Sequence, residues 1–164
     1  MSGDGSTSVV GAETASPFAS QTDHLLRRGH QIAVGLFLDT CGAHDLTPLQ
    51  YLLLCLLATE GPQDQVTLGG AAALDRTTVA VVLRNLEQRG LVQRKVSPRD
   101  RRAKIVSLTR AGAKLEEAAK PDAELARSRL VEPLSLDERE ELIRLLAKLA
   151  ESNNAFSRAP RRSR

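Results

Sequence analysis

From Thr22 onward, Leu25, Leu26, Ile32, Ala33, Leu36 and Phe37 recur at three- and four-residue spacing as far as Thr40. That is the period of a helix with one apolar face. Some twenty helical residues would span roughly 30 Å, and Gly42 just beyond them suits a helix C-terminus. Thr47-Pro48 opens a second helix, with Thr as N-cap and Pro at the first position. Through Tyr51 and Leu57 it is apolar nearly all round and is expected to be buried; Gly61-Pro62 ends it. Thr67 is expected to cap a short helix of small residues, Leu68 to Leu74. Asp75 is expected to cap the next, Arg76 to Arg89, with Val79, Val82, Leu83 and Leu86 on one face and Gly90 at its end. Two short helices about three residues apart, the first lined with Ala and Gly so that the pair can approach closely, form a helix-turn-helix pattern.

The periodicity then changes from helical to alternating. Leu91-Val92 to Val96 and Lys104 to Leu108 read as two strands, joined by the turn Ser97-Pro98-Arg99-Asp100. Thr109 caps a long helix from Arg110 to about Leu130, which Pro121 should kink or divide. Ser135-Leu136-Asp137-Glu138 is a capping box. It opens a last helix to about Glu151, with an apolar stripe of Leu142, Leu145, Leu146 and Leu149. The fold class expected is therefore mainly α with a small β-hairpin wing, a winged helix-turn-helix plus a helical dimerisation region. The stripe on the last helix and the apolar face of the first have no obvious partner inside so small a winged domain, and a second copy of the chain is the economical way to cover them.

Composition narrows the function. The 164 residues suit one domain with tails: a polar segment 1–21 read as disordered, an ordered unit over 22–152 with its DNA-binding core at 47–112, and a basic tail over 153–164. Aromatic residues make up only 2%, which argues against carbohydrate clefts and base-stacking platforms. Two Cys, and three His at 24, 30 and 44 without the spacing of a helical metal pair, leave no disulfide framework and no expected metal or cofactor. The apolar run Leu49 to Ala58 is too short for a membrane helix. No signal peptide is visible, so the cytoplasm is the expected compartment. There is no catalytic Ser, Cys-His or phosphate-loop motif, and no enzyme is expected.

Charge is concentrated in the middle. Between Val66 and Gly112 ten basic residues face three acidic ones, a net +7 that leaves the rest of the chain at −4. Such a block is an electrostatic footprint for a polyanion. A helix fits the DNA major groove, where base pairs show distinct donor and acceptor patterns, and a hairpin beside it can reach the minor groove or the backbone. The expected DNA-binding residues are Arg76, Thr77, Thr78, Arg84 and Asn85 on the helix and Arg99, Asp100, Arg101 and Arg102 on the hairpin.

The stretch from Val66 to Leu115 resembles the winged helix-turn-helix of MarR-type transcriptional regulators. The carrying residues are Leu86, Glu87, Gly90, Leu91, Val92 and Arg94 at the helix-to-strand junction, Asp100 and Arg102 in the wing, and Leu108, Thr109 and Gly112 after it. The helix order extends the resemblance over about residues 22–152. It implies a homodimer on a pseudo-palindromic double-stranded operator, with Arg102 in the minor groove and Asp100 holding an Arg side chain or shaping the turn. It also implies a repressor released by a small aromatic acid or related effector. On the first helix, Arg27, Arg28, His30 and Gln31 interrupt the apolar pattern, and with Phe37 and Tyr51 they form the expected carboxylate-and-ring site. The alternative for the two arginines is intersubunit pairing with acids such as Glu138 or Glu141. Two further readings stay open: a redox sensor using Cys41, and a regulator that needs no ligand.

Overall fold

The computed structural model describes residues 20–96 and 104–157. Helix α1 spans Thr22–Cys41 and passes through a 3-10 turn, Gly42–His44, into α2, Pro48–Glu60. A two-residue strand β1, Gln63–Asp64, precedes α3, Gln65–Ala71, and α4, Arg76–Gln88. Strands β2, Val92–Val96, and β3, Lys104–Leu108, lead to α5, Arg110–Val131, and α6, Leu136–Ser152. The sheet is antiparallel in the order β1-β3-β2, with Val92 opposite Leu108 and Gln63 opposite Val106. The fold class expected from the residue pattern is the one observed.

Side-chain chemistry sets the helix starts. Thr47 accepts from the backbone of Gln50 while Gln50 reaches back to the Thr47 backbone, a reciprocal cap with Pro48 at the first position. Ser135 and Glu138 do the same for α6. Asp75 caps α4 as expected. The cap of α3 is Asp64 rather than Thr67. Its carboxylate accepts from the N–H groups of Val66 and Thr67, and the Thr67 hydroxyl donates to it at 2.7 Å. An acid one residue before the helix meets two free N–H groups at once, which a hydroxyl three residues further on cannot do.

Gly42 is the C-cap of α1, as expected, but keeps right-handed geometry; the left-handed residue of the turn that follows is Asp45, at φ 51°. One further expectation is corrected. Pro121 does not divide α5, which runs unbroken for 22 residues. Pro121 is exposed, so the carbonyl it leaves unbonded can meet water. On either side of it Ala119 and Ala123 are buried and hold the helix in place.

The core lies where α2, α4, α5 and the sheet meet, around Leu53, Leu54, Leu68, Val79, Leu83, Leu86 and Val106. Small residues set the close approaches. A Cβ on Gly69 would stand 3.1 Å from Val79 Cγ2, so the Gly in α3 lets α4 pack against it. The two helices cross at 109°, within the range of a helix-turn-helix. The Ala119, Ala123 and Ala126 face of α5 brings it against α1. By contrast α6 buries none of its residues, and α1 buries only Phe37 and Cys41.

Candidate DNA-reading and effector sites

Helix α4 is held from both ends. At its start Asp75 Oδ1 accepts from the backbone of Thr77 and Thr78, each at 3.0 Å, and the Thr78 hydroxyl donates to Oδ2 at 2.7 Å. These bonds, that of the Thr78 hydroxyl first, hold the Asp75 carboxyl below its ordinary pKa. At its far end Gly90 takes φ 69°, a left-handed turn that glycine enters without penalty. There Arg94 on β2 lies 3.4 Å from the Glu87 carboxylate. The Leu-Glu-x-x-Gly-Leu-Val-x-Arg pattern is thus one joint: Leu86, Leu91 and Val92 are buried, Gly90 turns the chain, and Glu87 and Arg94 close it.

This joint presents one face of α4 outward. Arg76, Thr77, Arg84 and Asn85, all expected to contact DNA, are exposed on it, together with Val81 and Gln88. Thr78 is half-buried with its hydroxyl hydrogen committed to the cap. Of the basic block, Arg89 and Arg94 are engaged by the protein itself, whereas Arg76, Arg84, Lys95, Lys104 and Arg110 are exposed and have no ion-pair partner among the described residues. Arg99, Asp100, Arg101 and Arg102 lie outside the described residues.

The residues expected to hold an effector fall into two groups. Arg27, Arg28, His30 and Gln31 are exposed on the N-terminal half of α1, and Arg27 donates to Gln31 at 3.2 Å. Phe37 and Tyr51 are buried together, with ring centroids 5.7 Å apart and planes at 44°. Ten residues of helix separate Arg27 from Phe37, a rise of about 15 Å, so a single chain does not gather the six. Nor do the arginines pair with α6 acids within the chain: Glu138 is used in its cap and Glu141 binds Arg144.

The cation that does lie beside the Tyr51 phenol is Arg127 of α5, with Cys55 and Glu116 close by. Burial, then the neighbouring Cys55 and Glu116, raises the Tyr51 pKa against the opposing pull of Arg127. The phenol therefore keeps its proton and remains a donor. Burial and Glu116 also raise the Cys55 thiol, and Cys41 is wholly buried. Neither thiol has the exposed, electropositive setting that makes cysteine reactive, so the geometry gives the redox reading no support.

Sequence reasoning also missed the ties at the turn between α1 and α2. His44 Nε2 is 2.8 Å from Asp122 Oδ2 on α5. The next residue, Asp45, is held by Arg89 at the end of α4, through its carbonyl at 2.6 Å and its carboxylate at 3.3 Å. One short turn thus touches both the long helix α5 and the outward-facing helix α4.

The comparisons with known proteins agree with this architecture. The MarR family model matches residues 46–104. The transcriptional repressor NicR of Pseudomonas putida is 35% identical over 133 residues, 81% of this chain and 84% of NicR. A structure of Bordetella bronchiseptica BpsR, described for regulation of its DNA binding by 6-hydroxynicotinic acid, superposes with a TM-score of 0.78 at 35% identity, over 82% of this chain and 96% of that one. A cysteine-to-serine variant of Escherichia coli MarR in complex with operator DNA gives 0.74 at 26% identity, over 77% and 91%. A helix-turn-helix with a β-wing, flanked by helices whose apolar faces are uncovered, defines the class of dimeric winged-helix DNA-binding regulators. The chain belongs to the MarR family of transcriptional regulators and is of its repressor kind.

Proposed function

We propose that this repressor is released from a pseudo-palindromic operator by a small aromatic carboxylic acid, acting as a regulator in the cytoplasm and not as an enzyme. The observation that carries the effector reading is the Arg127 guanidinium beside the Tyr51 phenol, whose ring packs on the buried Phe37 ring. A guanidinium matches carboxylate geometry in two places, a phenol adds a third donor, and the ring offers an apolar wall. The naming of 6-hydroxynicotinic acid for BpsR supports the same ligand class. Arg127 takes the carboxylate here, the role that Arg27, Arg28, His30 and Gln31 were expected to fill.

The effector must favour the arrangement that cannot bind DNA, since equal affinity for both would shift nothing. The turn tied by His44 to α5 and by Asp45 to α4 is the element such a preference would bias. The test is release of a duplex selected from a randomised pool, titrated with 6-hydroxynicotinic, 4-hydroxybenzoic and benzoic acids. Arg127→Ala should bind the duplex as wild type does and no longer be released by the acid that releases wild type. Tyr51→Phe should need about tenfold more acid, the cost of one hydrogen bond to a charged group. Release of Arg127→Ala at unchanged concentrations would overturn the site; loss of release in Arg27→Ala or His30→Ala instead would return it to the N-terminal half of α1.

A further inference from the structure

The outward face of α4 carries Arg76, Thr77, Arg84, Asn85 and Gln88, and among them one aliphatic side chain, Val81, 46% exposed. Nothing in the packing of the helix asks for it. Its inner face is already filled by Val79, Val82, Leu83 and Leu86. A β-branched residue loses side-chain freedom in a helix, so an exposed helical Val has neither burial nor propensity in its favour. Leu25, Leu26 and Ile32 of α1, and Leu142, Leu145, Leu146 and Leu149 of α6, are also exposed, but each set runs together as a stripe on one helix face. Val81 instead stands in the middle of a polar face, one turn after Thr77 and one turn before Arg84 and Asn85.

On the edge of a base pair in the major groove, the one apolar feature is the C5-methyl group of thymine. We propose that Val81 reads a thymine methyl in each half-site, at a position flanked by the bases that Arg84 and Asn85 contact. This rests on α4 being the helix that enters the groove. The polar residues of that face distinguish donors from acceptors, and thymine and cytosine differ there by the methyl as well as by an O4 acceptor against an N4 donor. An isopropyl group supplies the contact that rewards the methyl and leaves the cytosine amino group without a partner.

The experiment uses the full chain and a duplex selected from a randomised pool by the wild-type protein. Each thymine of the half-site is replaced in turn by deoxyuridine, which removes only the methyl group. At one position per half-site the replacement should weaken wild type about fourfold, the equivalent of one buried methyl. Val81→Ala should lose about the same factor on the thymine duplex and then be indifferent to deoxyuridine at that position. Its melting temperature should be at or above that of wild type, because Ala is the better helix former. If every thymine-to-deoxyuridine step is the same in both proteins, Val81 is not the methyl reader, although α4 remains the reading helix. If Arg84→Ala and Asn85→Ala select the same duplex as wild type, α4 does not read the sequence and the proposal falls with it.

Discussion

Gly112 shows how one residue can hold a motif together. A Cβ there would stand 1.9 Å from the Leu91 carbonyl oxygen. That oxygen is backbone at the joint between α4 and β2, and it already accepts from the Thr109 N–H at 3.0 Å. The Thr109 hydroxyl donates to the Gly90 carbonyl at 2.7 Å and accepts from the Gly112 N–H at 3.1 Å. Gly112→Ala therefore sets a gain in helix propensity of about 1 kcal/mol against a backbone clash whose cost, about 3 kcal/mol or more, is at the upper end of overpacking. The expected net loss is about 2 kcal/mol, read by urea denaturation. Gly70→Ala, where a Cβ meets open space, should be neutral or slightly stabilising; equal effects at the two sites would sink the argument. The spacing Leu-Thr-x-x-Gly was legible in the sequence, but its cause was not, because Leu91 lies 18 residues before Thr109. The residues of the proposed effector site were harder still. Tyr51 could be picked out as an aromatic on a buried helix, whereas Arg127 looks like any charge on the polar side of α5 until the fold brings it to the phenol.

Among the elements, those with a cap and a clear period were readable: α2, α4, α5 and α6 begin at the expected Thr47, Asp75, Thr109 and Ser135. Strand β1 was not, because two polar residues, Gln63 and Asp64, show no alternation and form a strand only through pairing with Ile105 and Val106. The caps of α3 and α4 carry a pH dependence. The carboxyls of Asp64 and Asp75 lie below their ordinary pKa, held there first by the hydroxyls of Thr67 and Thr78. A carboxyl whose pKa is lower folded than unfolded contributes its stability in full above the unfolded value, about 3.9, and loses it as pH falls through the folded value. The helix-turn-helix should therefore weaken in acid. Asn caps a helix nearly as well as Asp but does not titrate in this range, so Asp64→Asn with Asp75→Asn should flatten the fall in melting temperature below about pH 4. Parallel acid limbs for the two proteins would show that these caps contribute nothing to it.

At the scale of the whole molecule, the part outside the winged unit is built to be covered. Leu142, Leu145, Leu146 and Leu149 of α6 are 38–47% exposed in one chain and recur at helical spacing on one face. Leu25, Leu26 and Ile32 do the same along α1. This was legible from periodicity alone, since a stripe with no partner in its own chain needs one from another. The homodimer of this family supplies that partner, and it also sets the DNA geometry: two α4 helices related by a twofold axis meet half-sites about 34–36 Å apart. Leu145→Asp with Leu149→Asp puts two carboxylates into the apolar stripe without touching the winged unit, and burying either unpaired is costly. The variant should sediment as a monomer while its far-UV spectrum stays helical. Its affinity for the full operator should fall by about 100-fold or more, because the second half-site no longer binds intramolecularly. Its affinity for a single half-site should match that of wild type. A variant that remains dimeric with unchanged operator affinity would move the subunit contact off α6 and onto the α1 and α5 faces; one that loses the half-site as well would mean that α6 supports the winged unit from within its own chain.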